Sequence, residues 1–140
     1  MMLLFPEIDK KQTKKKVHEL LNNYRSLVRI AGENHSPKVT ATYKLEMESL
    51  EKQTTSKIEY VIDRKKLAEV ELVKIVTAMN QLDSYDRQLL HDKYMDRNVT
   101  TNIAIYMKHH MSESKFYREL EKAMIRFAES YESGQLLIEK

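Results

Sequence analysis

The last third of the chain, from Leu82 to Tyr131, is divided by helix-capping residues into stretches in which apolar residues have helical spacing. The candidate caps are Asp83 or Ser84, Thr100 or Thr101, and Ser112. Such polar side chains accept hydrogen bonds from exposed backbone N–H groups and favour helix starts. In the last stretch the apolar residues recur three or four positions apart: Phe116, Leu120, Ala123, Met124, Phe127 and Tyr131. The pattern predicts a short helix, a second short helix, a tight turn and a longer basic helix.

The composition favours a mainly all-α fold. The 140 residues include only two Gly and two Pro, which suit long helices rather than a turn-rich all-β protein. The absence of Cys excludes disulfides and zinc ribbons. No apolar run approaches the roughly 18 residues that a membrane span needs, and the first residues lack the basic start of a signal peptide. We therefore expect a cytoplasmic protein without a membrane partner.

Two long helices are predicted before the last third of the chain. The first covers residues 10–31, with Asp9 as its cap and Gly32 as its end. The second covers residues 57–82. The linker between them contains Val and Thr residues that allow one short β segment around residues 38–45.

A three-helix unit whose last helix is basic and follows a turn is a common way to enter the major groove of DNA. The first half of such a helix reaches base edges, where Arg or Lys can donate to guanine and Glu can accept from cytosine. The candidate base-reading residues are Glu113, Ser114, Lys115, Tyr117 and Arg118. The candidates for phosphate contacts are Arg97, Thr100, Thr101, Lys108, His109 and Lys122. An amphipathic helical hairpin with a solvated outer face gives the same pattern and remains the alternative.

The cations of the chain are unevenly distributed, although its net charge is only +3. One block lies at the start of the first predicted helix: Lys10, Lys11, Lys14, Lys15 and Lys16. Cations at a helix start oppose the helix dipole. A partner phosphate would relieve this conflict, and a solvated helix start is the equal alternative.

The predicted domains follow from these elements. Residues 1–56 would form an N-terminal helix and linker for oligomerisation or support. Residues 57–140 would form a helical DNA-binding domain, with a helix-turn-helix at about residues 99–131. The final residues, 136–140, are expected to be frayed. Four apolar residues near the start are expected to pack on the first helix: Leu3, Leu4, Phe5 and Ile8.

The last third of the chain resembles region 4 of bacterial sigma factors. The residues that carry this resemblance are Leu82, Arg87, Leu90, Tyr94, Ile103–Met107, Ser112–Arg118 and Ala123. The whole chain resembles the ArpU-type phage transcriptional regulators, also called autolysin regulatory proteins, in these segments: LFPEID, TKKKVHELLNNYRSL, RIAGE, PKVTATYKLE, IAIYM and SESKFY. The resemblance implies a prophage-encoded DNA-binding protein of Gram-positive bacteria that switches on late genes for packaging and lysis. It also implies a sigma-like helix-turn-helix at the C-terminus.

The turn before the last helix departs from the family pattern, in which Leu-Gly precedes an apolar residue and the capping Ser. Here His110 stands where Gly would adopt a left-handed backbone. A non-Gly residue is uncommon in that conformation, although His is among the more tolerant. The departure affects the expected orientation of the last helix and leaves the predicted helices unchanged.

No catalytic, metal or cofactor site is predicted, because the sequence lacks a Gly-rich phosphate loop, a His-Glu zinc motif and a Ser-His-Asp order. The expected partners are double-stranded DNA and further copies of the chain, as a dimer or higher oligomer. One small helix-turn-helix buries too little surface for tight specificity, so two half-sites are expected. The other interpretation is a protein-interaction module that binds RNA polymerase or another regulator without reading DNA.

Overall fold

The computed structural model describes residues 4–32 and 56–140. Within these ranges the chain is helical, and β structure is limited to one antiparallel bridge between Ile8 and Glu139. The predicted mainly all-α fold is confirmed. The β segment allowed around residues 38–45 lies outside the described residues. None of the described helices combines the length and the apolar character needed to cross a bilayer.

The predicted single helix over residues 10–31 is instead two helices, α1 (Lys10–Leu21) and α2 (Tyr24–Ala31). Asn22 and Asn23 separate them. The Asn23 amide donates to a backbone carbonyl one turn earlier, at 3.1 Å. Asn side chains compete in this way with the backbone pattern of a continuing helix, which accounts for the break.

Both outer ends of this helical pair agree with the sequence prediction. The Asp9 carboxylate accepts a hydrogen bond from the N–H of Gln12 at 3.0 Å, which caps α1. Gly32 ends α2 with a φ of 99°, a conformation that favours glycine.

The next two helices are α3 (Ser56–Asn80), whose side chains are described from Asp63 onward, and α4 (Ser84–Leu90). The Asp83 carboxylate, one of the two predicted caps, accepts a backbone N–H of the first turn of α4 at 2.8 Å. A π-helical turn, His91–Met95, continues α4. The apolar spacing of the sequence gives no sign of this turn. The turn places Lys93 against the start of the next helix and Asp92 against its end.

The last two helices are α5 (Asn102–Lys108) and α6 (Glu113–Ser130). The hydroxyls of Thr101 and Ser112 cap them, accepting backbone N–H groups at 3.1 and 3.2 Å. Both predicted starts are therefore confirmed. A short 3₁₀ turn follows α6 and ends at Gly134, whose φ is 92°. The predicted stop at Gly134 is thus the end of this turn, four residues beyond the helix itself.

One apolar core joins the N-terminal helices to the rest of the described chain. α1 packs mainly against α6, and α2 packs mainly against α3. The largest fully buried apolar side chains are Leu21, Leu72, Ile75, Met79, Leu89, Leu90, Phe116 and Phe127. The predicted inner face of α6 is confirmed. The division of the chain after residue 56 stays a prediction, because a shared core does not locate a boundary.

The expected apolar packing at the start of the chain is wrong for two residues. Leu4 is 86% exposed and Phe5 is 73% exposed, whereas Ile8 is half-buried. The reason is that α6 already covers the apolar face of α1, which includes the fully buried Val17 and Leu21. Leu3 lies outside the described residues.

The C-terminal tail is docked rather than frayed, which corrects the prediction for residues 136–140. The N–H of Asp9 donates to the carbonyl of Ile138 at 2.7 Å, and the N–H of Ile138 donates to Thr13 Oγ1 at 2.9 Å. Leu136 and Leu137 pack against the core. The apolar content of the tail explains this, because these side chains lose contact with water only when the tail is docked.

Candidate nucleic-acid interface

The first two turns of α6 are open on the side away from the core. The predicted base-reading residues are all exposed there: Glu113, Ser114, Lys115, Tyr117 and Arg118. Phe116, in the middle of this run, is fully buried and anchors the helix. α1 lies beside α6 without covering these side chains. The structure therefore brings the five predicted residues together on one accessible surface.

An ion pair fixes the far half of α6 on α4. Arg126 Nη1 donates to Asp86 Oδ2 at 2.8 Å, and the Asp86 side chain is almost completely buried. Charge-assisted hydrogen bonds of this length are among the stronger polar contacts in proteins. Together with the buried apolar stripe, this contact sets the rotation of α6 and so decides which side chains point outward.

A chain of hydrogen bonds ties the start of α5 to α6. Lys93 Nζ donates to Asn102 Oδ1 at 3.0 Å, and Asn102 Nδ2 donates to the Tyr117 hydroxyl at 3.2 Å. The Tyr117 ring also meets Phe116 edge to face at 5.2 Å between centroids. Burial lowers the pKa of Lys93, and the nearby charge of Arg25 lowers it further. Tyr117 is therefore positioned by these neighbours before any partner arrives.

The turn between α5 and α6 closes through two backbone hydrogen bonds. The N–H of Met111 donates to the carbonyl of Tyr106 at 2.9 Å, and the N–H of His110 donates to the carbonyl of Met107 at 3.1 Å. This pair is the Schellman arrangement, which requires a left-handed residue after the helix. His110 supplies that residue with a φ of 55°, at the place where the family pattern has Gly.

Asp92, in the π-helical turn, is buried and hydrogen-bonded to three side chains. Its partners are Gln88 at 3.0 Å, Lys108 at 3.2 Å and His109 at 2.7 Å. Burial alone would raise the pKa of Asp92, but the hydrogen bonds from His109, Lys108 and Gln88 and the charge of Lys108 together hold it below its usual value. The two residues from α5 are thus held by an internal carboxylate, and their predicted contact with phosphate stays a prediction.

The other predicted phosphate-binding residues are open to solvent. Arg97, Thr100 and Lys122 are exposed, and Lys122 also lies 3.8 Å from a carboxylate oxygen of Glu119. Thr101 is exposed while its hydroxyl caps α5. Arg97 additionally lines a cleft with two arginines of α2. The structure therefore distributes these residues around the α5–α6 pair rather than in one cluster.

Sequence reasoning missed three polar residues that organise this surface: Asp92, Lys93 and Asn102. One available signal was the spacing of Gln88 and Asp92, four residues apart on one helical face. The pairing of Asp92 with Lys108 and His109 had no local signal, because the partners are 16 and 17 residues away.

One group among the described residues has ligand atoms close enough for a metal ion: His91, Asp92 and Asp96, all within 4.8 Å. Asp92 already accepts hydrogen bonds from Lys108 and His109, as described above. A cation at this carboxylate would have to displace or face the Lys108 ammonium, so the geometry favours the internal ion pair over a metal.

The described helices form a small all-α protein whose last helix is exposed along the side opposite the core. The chain is 29% identical over 143 residues to a protein of Enterococcus hirae named "Putative autolysin regulatory protein ArpU", covering 99% of this chain and all of the relative. It is 30% identical over 139 residues to a protein of the same name from Streptococcus phage O1205, with the same coverage. These relatives place it among phage-related regulatory proteins. The chain belongs to the ArpU family of autolysin regulatory proteins.

A third relative extends the phage connection. The chain is 27% identical over 125 residues to "Protein Gp66" of a Listeria phage, covering 84% of this chain and 83% of the relative. No family model and no solved structure matches the chain. The likeness of the last third to sigma factor region 4 therefore remains an expectation from the sequence.

Proposed function

We propose that this protein is a sequence-specific DNA-binding transcription regulator that reads the major groove through α6. The observation that carries the proposal is the exposure of Ser114, Lys115 and Arg118 on the first turns of a helix whose opposite side is buried. Arg and Lys can donate to guanine O6 and N7 from this position, and Ser can bond to several bases. α5 and α6 would act as a helix-turn-helix, in which α5 crosses the DNA backbone.

The biological role in this proposal is activation of prophage late genes for packaging and lysis. Two relatives named for autolysin regulation, one of them encoded by a phage, support this role. The protein would act in the cytoplasm of the bacterial host, as a non-enzymatic regulator without a cofactor. It would bind as a dimer or higher oligomer, because two half-sites supply the contact area that one small helical unit lacks.

Contact with another protein, such as RNA polymerase, is the second candidate function. An apolar set of exposed side chains near α5 favours it: Val99 is 75% exposed, Ile103 is 58% exposed and Met107 is 66% exposed. Ile103 and Met107 lie four residues apart and share a helix face. Exposed apolar groups at helical spacing are a common feature of surfaces that bind a partner helix.

Two experiments distinguish the two candidate functions. Selection of bound duplexes from a randomised library, at low and at moderate salt, should yield one enriched sequence if α6 reads DNA. A two-fold-symmetric sequence would also establish the dimer. Recovery of random sequences only, with affinity that depends on salt alone, would overturn base reading.

The protein-contact function is tested by co-purification with RNA polymerase after nuclease treatment. Retention that is lost in the double variant Ile103→Ser/Met107→Ser would support it. The control is Leu67→Ser, another exposed apolar residue, on α3. Equal retention of both variants would reject the α5 surface as the contact.

A further inference from the structure

A basic cleft lies between α1 and α6, beside the proposed reading surface. Its volume is about 860 Å³. Its charged lining residues are Lys11, Lys14, Lys15, Lys93, Arg118 and Glu121. Among the lining residues in the described part of the chain, Glu121 is the only acid, and Lys14 lies 3.6 Å from its carboxylate. The cleft therefore keeps a strong excess of positive charge after its internal ion pair is counted.

The lysines of α1 are electrostatically misplaced if the chain is considered alone. α1 has no acid within its first turn, where Lys10 and Lys11 lie at the positive end of the helix dipole beside the Asp9 cap. Lys14, Lys15 and Lys16 add like charge in the next turn. Lys11 and Lys15 are exposed, lie one helical turn apart and both line the cleft. A polyanion in the cleft would convert this local repulsion into attraction.

The cleft also connects directly to the residues proposed to read bases. Tyr117 and Arg118 line it from the α6 side. Lys93 lines it at the π-helical turn and reaches the start of α5 through Asn102. A nucleic-acid backbone beside the start of α6 would therefore pass the lysines of α1 on the same flank.

We propose that α1 is a second DNA contact, in which Lys11 and Lys15 bind the sugar-phosphate backbone of the duplex that α6 reads. This inference rests on the proposed function. It assigns the N-terminal helix a direct part in DNA affinity and gives it no part in base choice, since phosphate contacts carry no sequence information. Duplex DNA fits better than a free anion, because the cleft is open and its cations are spread along a helix.

The test compares two variants of the full chain that differ in where charge is lost. Lys11→Gln/Lys15→Gln removes two cations from the cleft. Lys16→Gln, on the same helix and exposed, removes a cation that does not line it. Fluorescence anisotropy with the selected duplex and with an unrelated duplex, over a series of salt concentrations, gives the affinity and its salt dependence.

The double variant should bind both duplexes about tenfold or more weakly, with a slope of log affinity against log salt that is shallower by about two. The Lys16→Gln variant should keep the slope within about half a unit of that of the parent chain. An equal slope for the double variant and the Lys16→Gln variant would overturn the inference.

A charge-preserving variant protects the test against simple misfolding. Lys11→Arg/Lys15→Arg should restore binding to within about twofold, because phosphate contact here depends on charge. Failure of this variant to bind, with a native circular dichroism spectrum, would contradict the inference.

If the parent chain bound neither duplex, the proposed function would fall. If Arg118→Ala changed base preference while the double variant bound like the parent, only the role of α1 would fall.

Discussion

Nε2 of His109 lies 2.7 Å from Oδ2 of Asp92, and this contact joins the end of α5 to the π-helical turn after α4. Lys108 binds the same carboxylate at 3.2 Å. The adjacent residues at the end of α5 therefore hold one buried acid, directly before the turn that starts α6. The position of α6 relative to α4 depends on this acid as well as on the apolar core.

We predict that Asp92→Asn lowers the free energy of unfolding by about 1–3 kcal/mol at neutral pH, because a buried carboxylate loses its charge-assisted hydrogen bonds. The loss of stability caused by this substitution should become smaller as the pH falls. The pKa of Asp92 is held below its ordinary value of 3.8, so its stabilising contribution is complete above that pH. It is lost as the pH falls through the lower pKa of the folded state.

Urea unfolding of the parent chain and the variant at neutral pH and at about pH 3 measures this difference. The difference in the free energy of unfolding between the parent chain and the variant should be smaller at the lower pH. Asp63→Asn on α3 is the matched control, since Asp63 is exposed, and it should change stability by less than about 0.5 kcal/mol. A gap that widens on acidification would contradict the assignment of Asp92 as a charged, bound carboxylate.

The backbone at His110 gives a prediction for the turn itself. A left-handed conformation costs an L-residue roughly 1–2 kcal/mol. Replacement by Gly removes this strain, and part of the gain is offset by the greater freedom of Gly in the unfolded chain. We expect His110→Gly to raise the free energy of unfolding by about 0.5–1 kcal/mol.

His110→Val is the comparison variant, because a β-branched residue is strained most in this conformation. Thermal unfolding should rank the chains in the order Gly, His and Val, from most to least stable. The side chain of His110 is exposed, so neither change removes core packing. A Gly variant less stable than the parent chain would show that the imidazole makes a stabilising contact of its own.

Sequence reasoning located the starts of α1, α4, α5 and α6 because each of these starts has a local cause. Asp9, Asp83, Thr101 and Ser112 cap helices through atoms three residues away, so the signal and the structure lie in the same short segment. The position of the left-handed turn at His110 was indicated instead by the resemblance to the family pattern, which has Gly at this place.

The docking of the C-terminal tail was missed because it depends on distant residues. The Ile138 N–H and Thr13 Oγ1 are 125 positions apart, and no local pattern in the tail reports this contact. The break at Asn22 and Asn23 was hidden by an apolar stripe that continues through both helices. The residues predicted to read bases could be placed on an exposed helix face from periodicity alone, but the cleft beside them could be recognised only from the position of α1.

Two variants of α6 should separate base reading from phosphate binding. We predict that Arg118→Ala lowers affinity for the selected duplex by about 1–3 kcal/mol and relaxes preference at one base pair. Lys122→Ala, one turn further along, should weaken binding to all duplexes and make the salt slope shallower by about one. The reason is that bidentate contact with a base carries sequence information, whereas phosphate contact does not.

Competition between the selected duplex and single-base variants of it measures both effects. Arg118→Lys is the informative control, since it keeps the charge and loses the planar fork of the guanidinium. It should retain salt dependence and lose part of the base preference. Unchanged preference in Arg118→Ala would remove Arg118 from the reading surface, and a change of preference in Lys122→Ala would reverse the two roles.

The docked C-terminal tail gives the last prediction. Removal of residues 136–140 should lower the free energy of unfolding by roughly 2 kcal/mol or more, because two partly buried leucines and the backbone contacts of Ile138 are lost. Leu137→Ala should reproduce about 1 kcal/mol of this loss. Gln135→Ala is the control, because Gln135 is exposed and should be neutral.

Since Ile138 bonds both Asp9 and Thr13, the tail also holds the start of α1, and its removal should loosen the lysines that line the cleft. Hydrogen exchange should therefore show faster exchange at the first turns of α1 in the truncated chain. Exchange that is unchanged there, together with unchanged stability, would show that the tail is only loosely associated and that α1 is held by α6 alone.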